Sequence, residues 1–192
     1  MQIERPFPKQ ISPLNLSPVF RGKIFDVYQW EQKLYDGTSA TFERIKRKDT
    51  VSVYPVTADK KIILTRQEQP GLKPFIGSLG GVIEINETPL QAAKREMLEE
   101  SGYEAGRFEL LTAEQPLDKI DWVIYTYIAK DIRKAQAPNP DAGEKITLLE
   151  VSFEEFLQII LQDNFRDKET TLQILLAKEK GELAKLREKF VG

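Results

Sequence analysis

The sequence predicts an α/β fold, and three observations carry that reading. Strand-like apolar segments fill both halves of the chain, one sharply capped helix lies between them, and amphipathic helices close the C-terminus. The 192 residues are enough for one domain with a sizeable core and a small appendage. The expected division is an N-terminal arm and β-hairpin extension over residues 1–49, then the main domain over residues 50–192.

Residues 1–18 carry Pro6, Pro8, Pro13 and Pro18 and read as an extended, partly ordered arm without its own core. Lys23–Tyr35 is rich in β-branched and aromatic residues, Asp36-Gly37 is a hairpin turn signal, and Ser39–Arg47 is the returning strand. Tyr28 and Trp30 fall on one face of this hairpin, Phe25 and Val27 on the other. Apolar groups on both faces fit a subunit interface, a base-stacking platform or plain core packing. Two more strands follow, Thr50–Thr57 and Lys60–Arg66, joined by a turn at Ala58-Asp59. Gln67–Ile76, with Pro70, Gly71 and Pro74, reads as a loop.

The loop leads into Gly77-Ser78-Leu79-Gly80-Gly81, where glycines permit close backbone approach to a metal or phosphate. The helix that follows has its boundaries written in the chain. Thr88 is a natural N-cap, Pro89 suits the first helical position, Gln91 completes a capping box, and Gly102 suits a left-handed stop. Leu90, Ala93, Met97 and Leu98 form its expected apolar stripe. Glu96, Glu99 and Glu100 stand at i, i+3 and i+4, on one side of the helix. Like charges at such spacing cost roughly 0.2–0.5 kcal/mol per pair. A hard divalent cation with oxygen ligands turns that liability into a site, whereas the plainer reading is a solvated acidic face.

Beyond the helix, Ala105–Thr112 and Lys119–Ala129 read as strands, the second with Trp122 and Ile124 on one face and Val123, Tyr125 and Tyr127 on the other. Ala135–Lys145 is a polar loop, Ile146–Val151 a strand, and Ser152 with Glu155 a second capping box. Phe153, Phe156, Leu157 and Ile160 give that helix its apolar face; Asp167–Lys180 and Glu182–Phe190 are two further helices.

Composition narrows the chemistry. With 28 basic and 30 acidic residues, non-specific nucleic-acid binding is disfavoured, and no stretch reads as a signal peptide or membrane span. The expectation is a cytoplasmic protein with no nucleic-acid and no membrane partner. Cysteine and histidine are both absent. Acid–base work therefore falls to Asp, Glu, Lys, Tyr or metal-activated water, and an oxygen-only site favours Mg2+ or Mn2+ over zinc.

Gly81, Glu87, Arg95, Glu96, Met97, Glu99, Glu100 and Gly102 stand in the order and spacing G-x5-E-x7-R-E-U-x-E-E-x-G-U, U being a bulky aliphatic. The stretch resembles the signature of the Nudix hydrolases without a gap, with Tyr103 where the last aliphatic is usual. The whole chain resembles the Nudix α/β/α sandwich with a mixed sheet. More narrowly it resembles the ADP-ribose and nucleotide-sugar pyrophosphatase branch, with its N-terminal antiparallel β extension and homodimers built partly through it. Three departures stand out. The branch's arginine-glutamine pair and second arginine read Arg66-Gln67-Glu68-Gln69, so the second arginine is Gln69; a usual glutamate is Gly77; and its Pro-Ala-Gly reads Leu79-Gly80-Gly81. Pro116 loosely matches a proline associated with ADP-ribose hydrolysis.

The resemblance implies a metal-dependent hydrolase of nucleoside diphosphate derivatives, ADP-ribose or a nucleotide sugar, releasing a nucleoside monophosphate. Alternatives are a nucleoside triphosphate or dinucleoside polyphosphate pyrophosphohydrolase, and a non-catalytic nucleotide-sensing module. Glu96, Glu99, Glu100 and the Gly80 carbonyl are the implied metal ligands. Arg95, paired with Glu87, orients the carboxylates, and Glu99 assists. Glu144 occupies the place of the branch's loop acid and is the candidate base, with Asp141 as runner-up and an ordinary surface acid as the alternative. Arg66, Tyr28, Trp30 and Gly81 are the candidate substrate contacts, and a homodimer is the expected assembly.

Overall fold

A computed structural model of the chain describes residues 4–140 and 142–192. Its strands are β1 (Phe20–Arg21), β2 (Asp26–Lys33), β3 (Ser39–Lys46), β4 (Thr50–Pro55), β5 (Ile62–Glu68), β6 (Phe75–Gly77), β7 (Tyr103–Glu114), β8 (Ile120–Asp121), β9 (Ile124–Lys134) and β10 (Lys145–Val151). Its helices are α1 (Pro89–Ser101), α2 (Phe153–Ile159), α3 (Lys168–Glu179) and α4 (Leu183–Val191). No helix among the described residues is long and apolar enough to cross a membrane.

The strands form three sheets, in the orders β1-β2-β3-β8, β10-β5-β6 and β4-β9-β7. Parallel β4–β9 and antiparallel β7–β9 pairing makes the last one mixed. Along β4, β5 and β9 successive side chains feed two different cores, as alternation requires of strands buried on both faces. Val53, Ile63 and Tyr127 join Ala92, Ala93 and Met97 of α1. Tyr54, Leu64 and Ile128 join Phe153, Phe156, Phe165, Ile174 and Phe190 of the C-terminal segment. Helices thus cover strands on both sides, as expected for a layered α/β fold.

Several expectations change in detail. The strand expected across Lys119–Ala129 breaks at Trp122-Val123. There the Val123 N–H donates to Asp49 Oδ1 at 2.9 Å instead of to a ladder, and the chain passes from the N-terminal sheet to the central one. β4 and β5 flank the Ala58-Asp59 turn but diverge into separate sheets, leaving a single bridge between Val56 and Ile62. The Gln67–Ile76 loop is shorter than expected, because β5 runs to Glu68 and Phe75 already pairs with Gln67 in β6. On α1 the buried face is Ala92, Ala93 and Met97, while Leu90 is exposed.

The N-terminal arm is better anchored than its composition implies. Arg5 Nε and Nη2 donate to Asp49 at 2.7 and 2.9 Å, and Nη2 also reaches Asp121 at 2.7 Å. The Lys9 N–H donates to Gln115 Oε1 at 2.9 Å. Asp121 ends β8, which pairs in parallel with β3, so the hairpin and arm are tied into the body.

Candidate active site

The caps of α1 set the phase of its acids. Thr88 and Gln91 form the reciprocal capping box, Pro89 opens the helix, and Gly102 closes it at φ 70° with its N–H on the Leu98 carbonyl. That phase buries Ala92, Ala93 and Met97 and brings Glu96 and Glu100 to the edge of the buried face. The glycine loop is pinned opposite. Val53 and Leu79 exchange backbone hydrogen bonds of 2.7 and 3.1 Å, and the Val51 N–H donates to the Gly81 carbonyl at 2.9 Å. Asp167 Oδ2 accepts from the Ser78 N–H at 2.6 Å and from the Tyr54 hydroxyl at 2.8 Å.

Two glycines make the close approach possible. Gly80 has φ +147°, and a side chain there would run into the Val51 carbonyl. At Gly81 a Cβ would occupy the space of the Glu96 carboxylate. Loop backbone and acid therefore touch directly: the Gly80 N–H donates to Glu100 Oε2 at 2.8 Å.

One guanidinium organises three carboxylates. Arg95 grips Glu87 with Nε and Nη2 at 2.9 and 3.0 Å and donates to the Val82 carbonyl at 2.9 Å. Its Nη1 reaches Glu96 Oε1 at 2.7 Å and Glu99 Oε2 at 3.1 Å. Bidentate, charge-assisted geometry of this kind fixes orientation as well as energy. The hydrogen bonds from Arg95 hold the Glu87 carboxyl below its usual range.

Glu96 and Glu100 both shift the other way from Glu87. Burial, then the charges of Glu96, Glu144 and Asp167, push the Glu100 carboxyl up to about 8 against the pull of the Gly80 N–H. Burial also raises Glu96, with the charges of Glu99 and Glu144 adding to it and Arg95 opposing. Glu144 thus faces both acids, and its Oε1 accepts from Gln69 Nε2 at 3.0 Å. The cavity of about 400 Å³ between them is lined by Gly80, Gly81, Arg95, Glu96, Glu99, Glu100 and Glu144. Excess negative charge in a half-closed cavity whose acids offer only oxygen donors fits a hard divalent cation. Among the described residues no three acids already converge as a finished ligand set, and Arg95 holds one oxygen of Glu96 and one of Glu99.

The structure brings together Gly80, Gly81, Arg95, Glu96, Glu99, Glu100 and Glu144. It does not bring Arg66, Tyr28 or Trp30 to them. Arg66 is exposed on β5, one position before Gln67, which faces the cavity side. Trp30 is buried, its Nε1 donating to Gln32 at 3.1 Å, and Tyr28 lines a groove of about 710 Å³ under the N-terminal arm. Asp141 lies outside the described residues. A second cavity of about 390 Å³ shares Gly80, Gly81, Val82 and Glu144 with the first and adds Arg47, Gln69, Phe75, Trp122, Arg166 and Asp167. Apart from the adjacent Arg166 and Asp167, these residues are scattered along the chain without a shared motif, so the sequence carries no signal that joins them.

The family model described as NUDIX domain matches residues 46–180. The chain is 28% identical over 159 residues to the methanol dehydrogenase activator of Bacillus methanolicus, covering 81% of this chain and 86% of the relative. It is 28% identical over 166 residues to the ADP-ribose pyrophosphatase of Bacillus subtilis (strain 168), covering 84% and 90%. The ADP compounds hydrolase NudE of Escherichia coli (strain K12) is 29% identical over 101 residues, 51% of this chain and 54% of that protein. The crystal structure of an ADP compounds hydrolase superposes with a TM-score of 0.71 over 95% of this chain and 99% of that one, at 20% identity.

Proposed function

The chain belongs to the NUDIX domain family, and from that premise we propose that it hydrolyses the diphosphate linkage of a nucleoside diphosphate derivative of the ADP-ribose or nucleotide-sugar kind. The products are a nucleoside monophosphate and a sugar phosphate. The observation that carries the reading is the pairing of Glu96 and Glu100 under the Gly80-Gly81 backbone, with Glu144 facing them. Relatives named for ADP-ribose and ADP compounds support the substrate class.

Glu96, Glu100, Glu99 and the Gly80 carbonyl would hold magnesium or manganese. The chemistry such an ion supplies when bound is neutralisation of the diphosphate charge and acidification of water near neutral pH. Arg95 keeps Glu96 and Glu99 turned towards the cavity and ties them to the loop through Val82. Glu144 accepts the proton of the attacking water, a role open to a carboxylate in a chain without histidine.

A second copy of the chain covers the N-terminal extension in this reading. Phe7, Ile11, Leu14, Val19, Phe20, Ile24 and Tyr35 are all exposed in one copy. Tyr28 and Trp30 contribute to substrate binding only if that assembly brings an extension to the neighbouring site. The enzyme works in the cytoplasm.

The direct test is a panel of ADP-ribose, nucleotide sugars, nucleoside triphosphates and dinucleoside polyphosphates with magnesium, reading the released products. Cleavage of the first two classes to a nucleoside monophosphate is expected. Preference for triphosphates would move the enzyme to the pyrophosphohydrolase reading, and no cleavage of any compound would leave a nucleotide-binding module.

A further inference from the structure

Arg47 and Arg166 reach the second cavity from opposite ends of the chain, and the fold holds both by their backbones. The Arg47 N–H donates to the Asp121 carbonyl at 3.2 Å, and the Arg166 N–H to the Ile76 carbonyl at 2.8 Å. Each guanidinium is backed by a ring. Arg47 lies 4.6 Å from the Trp122 centroid and Arg166 lies 4.5 Å from the Phe75 centroid. Trp122 is itself fixed, its Nε1 donating to Thr50 Oγ1 at 3.0 Å.

Neither arginine forms an ion pair among the described residues, and the buried Arg47 Nε has no hydrogen-bond partner. Burial first, and then the charge of Arg166, lower the pKa of Arg47. Two like charges are therefore held near one cavity with no carboxylate paired to either. Of the acids there, Glu144, Asp167 and Glu169, none forms an ion pair with either arginine among the described residues. Asp167 is engaged by the Ser78 N–H and the Tyr54 hydroxyl. Glu169 is pushed by burial towards its neutral form. Gln69, which stands where the related pattern has an arginine, is neutral and donates to Glu144.

We propose that Arg47 and Arg166 form an anion subsite that receives the phosphoryl group of the substrate lying beyond the carboxylate cluster. The subsite rests on the diphosphate-hydrolase reading for its substrate but not for its existence. An aromatic ring behind each guanidinium leaves the N–H fork free for phosphate oxygens, which suits arginine and not lysine. Because this cavity shares Gly80, Gly81 and Glu144 with the acidic one, a single diphosphate can span both. The positive charge of the site thus comes from residues outside the β5 segment, where Arg66 points away and Gln69 carries no charge.

The test uses the full chain, freed of metal with a chelator, titrated with inorganic pyrophosphate and followed by tryptophan fluorescence, with Trp122 as reporter. Saturable, salt-sensitive binding is expected, weakened at least tenfold in both Arg47→Gln and Arg166→Gln. Arg166→Lys, which keeps charge but loses the fork, should fall between. Arg166 is exposed, so its variants should melt like the unaltered protein and keep the test informative should Arg47→Gln unfold. With magnesium and the preferred substrate, KM should rise at least tenfold and by more than kcat falls. Pyrophosphate affinity and KM unaltered in the Arg166 variants would overturn the subsite while leaving hydrolysis standing. Pyrophosphate binding through both arginines in a protein that cleaves no diphosphate would keep the subsite and remove the reaction.

Discussion

Glu100 is the residue on which stability and chemistry meet. Its carboxyl is 4% exposed and titrates near 8 in the folded chain, against 4.5 when unperturbed. Between those values the folded state binds a proton that the unfolded state has lost, so unfolding free energy falls as pH rises. The contribution is fully present below 4.5 and gone above 8. Thermal melts of metal-free protein should show this decline, and Glu100→Gln should flatten it. Magnesium should restore stability at the alkaline end, because it binds the ionised form. The same substitution should lower turnover by orders of magnitude and weaken metal binding; near-normal turnover would remove the metal site. Glu144→Gln should lower turnover by about 10²–10⁴ while largely sparing KM. If turnover survives that change and collapses in Asp141→Asn, the base is Asp141.

At the scale of elements, the glycine loop and α1 work as one device, and two substitutions separate its functions. Gly81→Ala places a methyl where the Glu96 carboxylate sits, so activity should fall steeply in a protein that still melts cooperatively. Gly80→Ala puts a side chain on a backbone held at φ +147° and drives it into the Val51 carbonyl, so stability should fall as well. Circular dichroism melts beside turnover would tell the two apart. Thr88→Ala removes half of the capping box and should cost about 1 kcal/mol, read as a lower melting temperature with a modest loss of activity. α1 was legible in the chain almost residue by residue, because caps and acid spacing depend on neighbours within a turn or two. The Lys119–Ala129 strand was legible only as a strand; its break at Trp122-Val123 needs Asp49, far away in the chain, to accept the Val123 N–H.

For the whole molecule, the exposed apolar groups of the arm and hairpin set the prediction. Sedimentation at micromolar concentration should give a dimer, and a monomer across that range would remove any site shared between copies. Arg5 links arm to body through Asp49 and Asp121, so Arg5→Ala should loosen the arm and raise its protease sensitivity. The arm's four prolines say that it is extended. They say nothing of the carboxylates, drawn from two distant segments, that hold it.

What the sequence determined by itself is whatever local rules decide. The helix ends at Thr88 and Gly102, the placing of Glu96, Glu99 and Glu100 on one side, the Asp36-Gly37 turn and the Ser152 cap all follow from residues a few positions apart. Periodicity likewise sorted helices from strands, because burial of one face imposes it. Tertiary structure alone decided which side chains share a cavity. Arg66 and Gln67 are neighbours in the chain, yet strand alternation sends one to solvent and the other towards the site. Arg47, Phe75, Trp122 and Arg166 meet only because sheet pairing and the return of the chain before α3 bring four segments to one place, and no local spacing encodes such a meeting.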